Sequence, residues 1–188
     1  MDIQDKTKLF LVLVPHRDIR GLLQKQQNLL VESGICGVYT FPLAAPLACL
    51  SQPLEDNELK DYAKSLRQIT NGEKIKISDI STAGFPLEKD KLNDKLTLFG
   101  YKLDLELPLD FFYKTKEKIK DVFISPIIGS FLIPDSGSEL NKNNISMPVS
   151  FRAAALANMF WQPVEFDTEK PVSFKWKIGK LNWLPRNL

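Results

Sequence analysis

The chain has 188 residues, 44% of them apolar and 26% charged, with 25 lysines and arginines against 23 aspartates and glutamates. That size and balance suit one folded unit with a real core and exclude a disordered or fibrous chain. A net charge of +2 excludes a long-range field strong enough to make nucleic acid or an anionic membrane an obligatory partner.

Residues 8–14 (KLFLVLV) form a continuous apolar run closed by Pro15, the pattern of a strand covered on both faces. The run is too short to span a bilayer and no small-residue cleavage site follows it, so the expected location is the cytoplasm, with no membrane partner. From Ile19, with Asp18 as its cap, Leu22, Leu23 and Leu30 recur at helical spacing and Gly34 stops the helix. Residues 38–51 (VYTFPLAAPLACLS) are apolar and β-leaning, but Pro42 and Pro46 divide them into two short strands or one kinked edge strand. A second helix over 55–69 sets Leu59, Tyr62, Ala63 and Leu66 on one face and ends at Asn71-Gly72.

Alternation predicts half-exposed strands over 74–80 and 101–107, the latter turning Lys102, Asp104 and Glu106 away from Leu103 and Leu105. The stretch between them, to Asp94, has the composition of a loop. Pro108 opens a third helix through Phe123, with Leu109, Phe112, Ile119 and Phe123 on one stripe. Residues 127–133 are β-like, and 135–144 (DSGSELNKNN) form the most polar segment, a loop. Residues 149–159 (VSFRAAALANM) suit strand or helix: the alanines favour helix, while Pro148 and the aromatics favour strand. Over 173–184, Phe174, Trp176 and Ile178 alternate, whereas Leu181 and Trp183 fall on the opposite parity, which a bulge at Gly179 would reconcile. The order of elements is that of an α+β chain.

Chemistry-bearing residues are sparse. His16, the only histidine, follows the first strand and reads as a surface or capping residue rather than an acid–base group. Gly-x-Ser-x-Gly is absent, and with it a serine-hydrolase triad. Cys36 and Cys49 lack metal-ligand spacing and read as buried thiols; Asn144-Ile145-Ser146 matches a glycosylation sequon but, without a secretory signal, reads as accidental. No phosphate-cradling glycine loop occurs, and no cofactor is expected. Lys114, Lys116, Lys118 and Lys120 cluster along the third helix, and Lys175, Lys177 and Lys180 flank Trp176 and Trp183 in the last strand. Lysines interleaved with aromatics can bind single-stranded nucleic acid, but they are also what a solvated face or an edge strand shows.

The element order, a first strand ending in proline, PLACLSQPL before the second helix, and Ile80-Ser81-Thr82-Ala83-Gly84-Phe85-Pro86 ahead of a strand over 98–107 together resemble the two-histidine phosphoesterase superfamily, which includes RNA ligase-like cyclic phosphodiesterases. The resemblance implies a single domain, 1–188, of two pseudo-symmetric lobes, each an antiparallel sheet backed by helices, with a polar loop near 135–146. It implies one His-x-Thr/Ser motif from each lobe facing a central groove, one imidazole acting as base and the other as acid. This sequence departs from that pattern at both motifs: Ala44 and Pro46 stand in the first, Ala153 and Ala155 in the second. With one histidine, the mechanism cannot be assembled in one protomer.

The expectation is therefore a catalytically inactive protein that binds a small molecule or another protein. If Ala44, Pro46 and Ala48 share one face and Ala153, Ala155 and Ala157 another, the groove suits an apolar guest. A slip of one residue would present Arg152 and Asn158 instead, donors suited to phosphate or carboxylate. The competing readings are an enzyme of unrelated mechanism using His16, Arg152 or a carboxylate pair, and a single-stranded RNA-binding protein.

Overall fold

Strand-forming runs dominate the chain, and in the computed structural model they pair into two antiparallel sheets. The structure describes residues 7–32, 43–82, 96–107, 109–124, 126–134, 148–164 and 173–185. The elements are β1 (Thr7–Pro15), α1 (Arg17–Glu32), β2 (Ala45–Leu50), α2 (Asp56–Ser65), α3 (Arg67–Thr70), β3 (Ile75–Thr82), β4 (Leu96–Leu103), a 3-10 segment (Leu109–Lys118), β5 (Ile119–Val122), β6 (Ile127–Pro134), β7 (Pro148–Val149), β8 (Phe151–Val164) and β9 (Ser173–Trp183). One sheet has the order β5-β2-β1-β8-β9 and the other β6-β4-β3-β7. The α+β reading holds in this form, with few helices. Among the described residues, no helix is long and apolar enough to cross a membrane.

β1 sits at the centre of the five-stranded sheet and is buried on both faces, as its uninterrupted apolar run requires. Leu11 and Leu13 join a cluster that includes Tyr62, Leu66, Ile77, Tyr101, Ile128 and Phe151, so α2 and residues of the second sheet share a core with this face. Phe10, Val12 and Val14 belong to a second cluster with Ala44, Cys49, Ala155, Ala157 and Met159. The helical stripe expected over 55–69 is present, but Leu66 breaks it into α2 and α3. Asn71-Gly72 then turns the chain, with Gly72 at φ 90°, a left-handed conformation that glycine adopts without a Cβ penalty.

Tertiary pairing corrects several local readings. β2 is no edge strand: β1 pairs it on one side and β5 on the other. Pro46, which has no N–H to give the ladder, is tolerated because the register shifts beside it, Leu11 facing Ala48 and Val12 facing Pro46, so that Leu47 is the extra residue. The third helix is a 3-10 segment with Thr115 at φ −120° and ψ 18°, and Ile119–Val122 leaves it to pair with β2. The strand expected at 101–107 lies earlier, as β4; beyond it, Asp104 donates to the Lys76 carbonyl (2.8 Å) and Leu107 to that of Ile124 (3.0 Å). Residues 149–159, open between helix and strand, lie in β7 and β8: pairing on both sides overrides the alanines' helical preference. In β9 the bulge falls at Gly179, since Asn158 faces Lys180 and Met159 faces Ile178. Ile178 and Leu181 consequently pack on one cluster despite their opposite parity. The loop expected over 83–94, the polar loop near 135–146 and Cys36 lie outside the described residues.

Candidate oxyanion site

The four positions that the resemblance would set at its two motifs come together. The segments that carry them flank β1 in the same sheet: Val12 faces Pro46 on one side and Ala155 on the other, and Val14 faces Ala153. Ala44 packs in the same cluster as Val12, Val14 and Ala155. Ala48 does not join them, because the extra residue at Leu47 carries it to the opposite face with Leu11. These side chains fill a packed layer: Ala44, Ala153 and Ala155 are 1%, 3% and 0% exposed, and Pro46 is buried.

Arg152 is set apart by a different device. β8 faces β1 through Ala153 at Val14 and through Phe151 at Pro15, leaving Arg152 as the extra residue between them. A bulge re-aims its side chain out of the strand's alternation, and the Arg152 guanidinium lies 4.8 Å from the centre of the Trp183 ring. At that distance the indole face attracts the guanidinium, whose N–H donors remain available to a ligand. Asn158 stays in the ladder opposite Leu9 and Lys180, half-buried; at about 3.3 Å per residue it is about 20 Å along the strand from Arg152.

Arg152 opens onto a cavity of about 500 Å³. Its rim carries Lys60, Lys64, Arg67 and Arg152, with Asp61 as the one carboxylate among the described lining residues. Its floor is small and apolar, from Ala63, Leu66, Ala153, Ala154 and Leu184. Leu184 is held there by its N–H donating to the Ala154 carbonyl at 3.0 Å. The helical cations sit at positions i, i+4 and i+7, one stripe carried from α2 into α3. Lys64 in the last turn of α2 complements the helix dipole, but the like-charged Lys60 at i−4 costs an isolated helix about 0.2–0.5 kcal/mol. Asp61 does not neutralise the rim, because its carboxylate accepts from Lys114 at 2.9 Å. The Thr70 hydroxyl donates to the Leu66 carbonyl at 3.1 Å, so the Asn71 amide is the neutral side-chain donor in the lining. Such an arrangement binds phosphate or carboxylate oxygens by charge-assisted hydrogen bonds, with an apolar floor for the rest of the ligand.

The other sequence candidates lie elsewhere. His16 is exposed at the start of α1, where its carbonyl accepts from Arg20 N–H at 3.1 Å and its own N–H donates to the Ser150 carbonyl at 3.0 Å. Cys49 is a buried free thiol facing Phe10, and burial raises its pKa, with nearby Asp121 adding to the shift and Lys8 and Lys120 opposing it. Lys114 pairs with Asp61, and Lys118 pairs with Glu58 (2.7 Å) and Glu55 (3.2 Å), so the lysine run is partly spent on ion pairs; Lys116, Lys120 and Lys180 are exposed. The side chains of Lys175, Trp176 and Lys177 lie outside the described residues. Among the described residues no three His, Cys, Asp or Glu side chains gather as a metal site would require. Comparison with known protein families, with curated proteins and with solved structures finds no match to this chain.

Proposed function

We propose that this chain is a binding protein of two-histidine phosphoesterase-like descent that holds a small phosphate- or carboxylate-bearing molecule in the cationic cavity and does not turn it over. The observation that carries the reading is four cationic side chains around a cavity of about 500 Å³ where Asp61, itself paired with Lys114, is the one carboxylate among the described lining residues. The two-histidine route is closed within one protomer: acid–base relay across a phosphate by that route needs two imidazoles, and the chain has one, exposed at the start of α1. Ala153 and Ala155, in place of the second motif, contribute wall and core but no proton.

Calorimetric titration with inorganic pyrophosphate tests the reading. Saturable binding is expected, weakened about tenfold or more in Arg152→Ala, as for loss of a charge-assisted contact, and weakened again as salt rises. Equal binding by Arg152→Ala and wild type, or hydrolysis of a 2′,3′-cyclic phosphate RNA end by the purified protein, would contradict it.

A further inference from the structure

A larger depression of opposite electrical character adjoins the cationic cavity along α2, sharing Asp61 and Lys64 with it. A groove of about 930 Å³ runs between α2 and the segment from Leu105 to Thr115. Among the described lining residues are five carboxylates, from Glu58, Asp61, Glu73, Glu106 and Asp110, against two lysines, Lys64 and Lys114. The charges of Glu58 and Asp61 are met by Lys118 and Lys114. Glu73, Glu106 and Asp110 are exposed and form no ion pair with another described residue.

Between these carboxylates the floor is apolar. Ile69, Leu105 and Phe111 are half-buried, seated on the core by one side and open to the groove by the other. The floor is also tied to the core by aromatic contacts and a buried hydrogen bond. Phe111 meets Tyr62 edge-on at 5.1 Å and Phe112 at 4.7 Å, and the Tyr62 hydroxyl is hydrogen-bonded to buried Thr115. A preformed floor lowers the ordering cost that a binding partner would otherwise meet.

We infer that this groove docks a segment of another protein in which lysines or arginines flank an apolar anchor residue. Charge complementarity selects the cations: three carboxylates without an ion-pair partner among the described residues sit around an apolar patch, and a ligand that places positive charge outside and hydrocarbon inside satisfies both. The net negative charge of the described lining disfavours the oxyanion proposed for the neighbouring cationic cavity, so the two sites select different chemistry.

The test is fluorescence anisotropy with a rhodamine-labelled hexapeptide of sequence RKLWKR, on the full chain. Saturable binding is expected, about tenfold or more weaker for Glu106→Lys/Asp110→Lys, and similarly weaker for RKSSKR, in which the anchor is lost. Both substituted positions are exposed, so the variant should retain the wild-type thermal transition. The inference fails if RKLWKR shows no saturable binding up to millimolar concentration, if the variant binds it as wild type does, or if RKSSKR binds equally, which would mean diffuse attraction alone. It also fails if sedimentation shows a dimer broken by the same variant, since the groove would then hold a second copy of this chain. Pyrophosphate titration of the variant should match wild type, which separates this inference from the proposal for the cationic cavity.

Discussion

Arg152 shows how one side chain acquires a role from its backbone. Its charge alone would leave it a solvated surface residue, but the bulge opposite Val14 and Pro15 turns it over Trp183 at the mouth of a cationic cavity. Because a lysine keeps the charge but not the planar fork, Arg152→Lys should bind pyrophosphate more weakly than wild type and no better than a few-fold above Arg152→Ala, measured by calorimetry. The sequence pointed to Arg152 through a one-residue slip of β8. The strand does not slip; a single extra residue does the work, and its position depends on Pro15 of the partner strand, which no local pattern of β8 encodes. Lys60, Lys64 and Arg67 went unread beside the apolar face of 55–69, because a basic stripe on a helix is the ordinary look of a solvated face, and only the facing β8 and Leu184 make it a cavity wall. Tyr62 offers a second test at this scale. Tyr62→Phe removes the partner of buried Thr115 and should cost about 1–3 kcal/mol in urea unfolding, whereas a Thr115→Val/Tyr62→Phe pair should cost less than the sum of the two singles.

Elements were legible where one pattern ran long enough to outweigh its neighbours. β1 announced itself by a seven-residue apolar run, α2 by its stripe, and the β9 bulge by a parity change at a glycine. The 3-10 segment did not, because its apolar spacing imitates a helix while the pairing of Ile119–Val122 with β2 is non-local. The alanines of β8 carried opposite local preferences for the same reason. Their placement has a measurable consequence. Ala155 lies between Val12 and Trp183, fully buried, so Ala155→Leu overpacks the layer and should destabilise the fold by about 1–3 kcal/mol in urea titration. A neutral effect would mean that this face retains an open groove, as the two-histidine architecture would have it.

Across the whole molecule, the structure joins two sheets through one core and sets α2 along two adjoining surfaces of opposite charge. One ion-pair cluster ties α2 to the end of the 3-10 segment. Lys118 meets Glu58 and Glu55, while the Glu55 N–H donates to the Glu58 carboxylate at 2.6 Å. Burial alone would raise the Glu58 pKa, but the hydrogen bonds from Lys118 and from the Glu55 N–H, with the Lys118 charge, lower it below the ordinary carboxylate value. The hydrogen bond to Glu58, against some desolvation and with help from Glu55, raises that of Lys118. The signs fix the pH dependence. Glu58's contribution is present above the ordinary carboxylate pKa and is lost as pH falls through its lowered value; that of Lys118 is present below the ordinary lysine pKa and is lost as pH rises through its raised value. Wild type should therefore show a stability plateau around neutrality in urea titrations at a series of pH values, and Lys118→Met should flatten both limbs. Unchanged limbs would mean that the cluster is too well solvated to matter.

The cationic cavity is tested most directly by mapping backbone amide shifts in the ¹⁵N-labelled protein during titration with pyrophosphate. Saturating shifts are expected at Lys64, Arg67, Asn71, Arg152 and Leu184, residues from three separate elements and the segment after β9 that meet only at this cavity. Shifts centred instead on Lys116 and Lys120 or on Lys180, or no saturating shifts at all, would contradict the account.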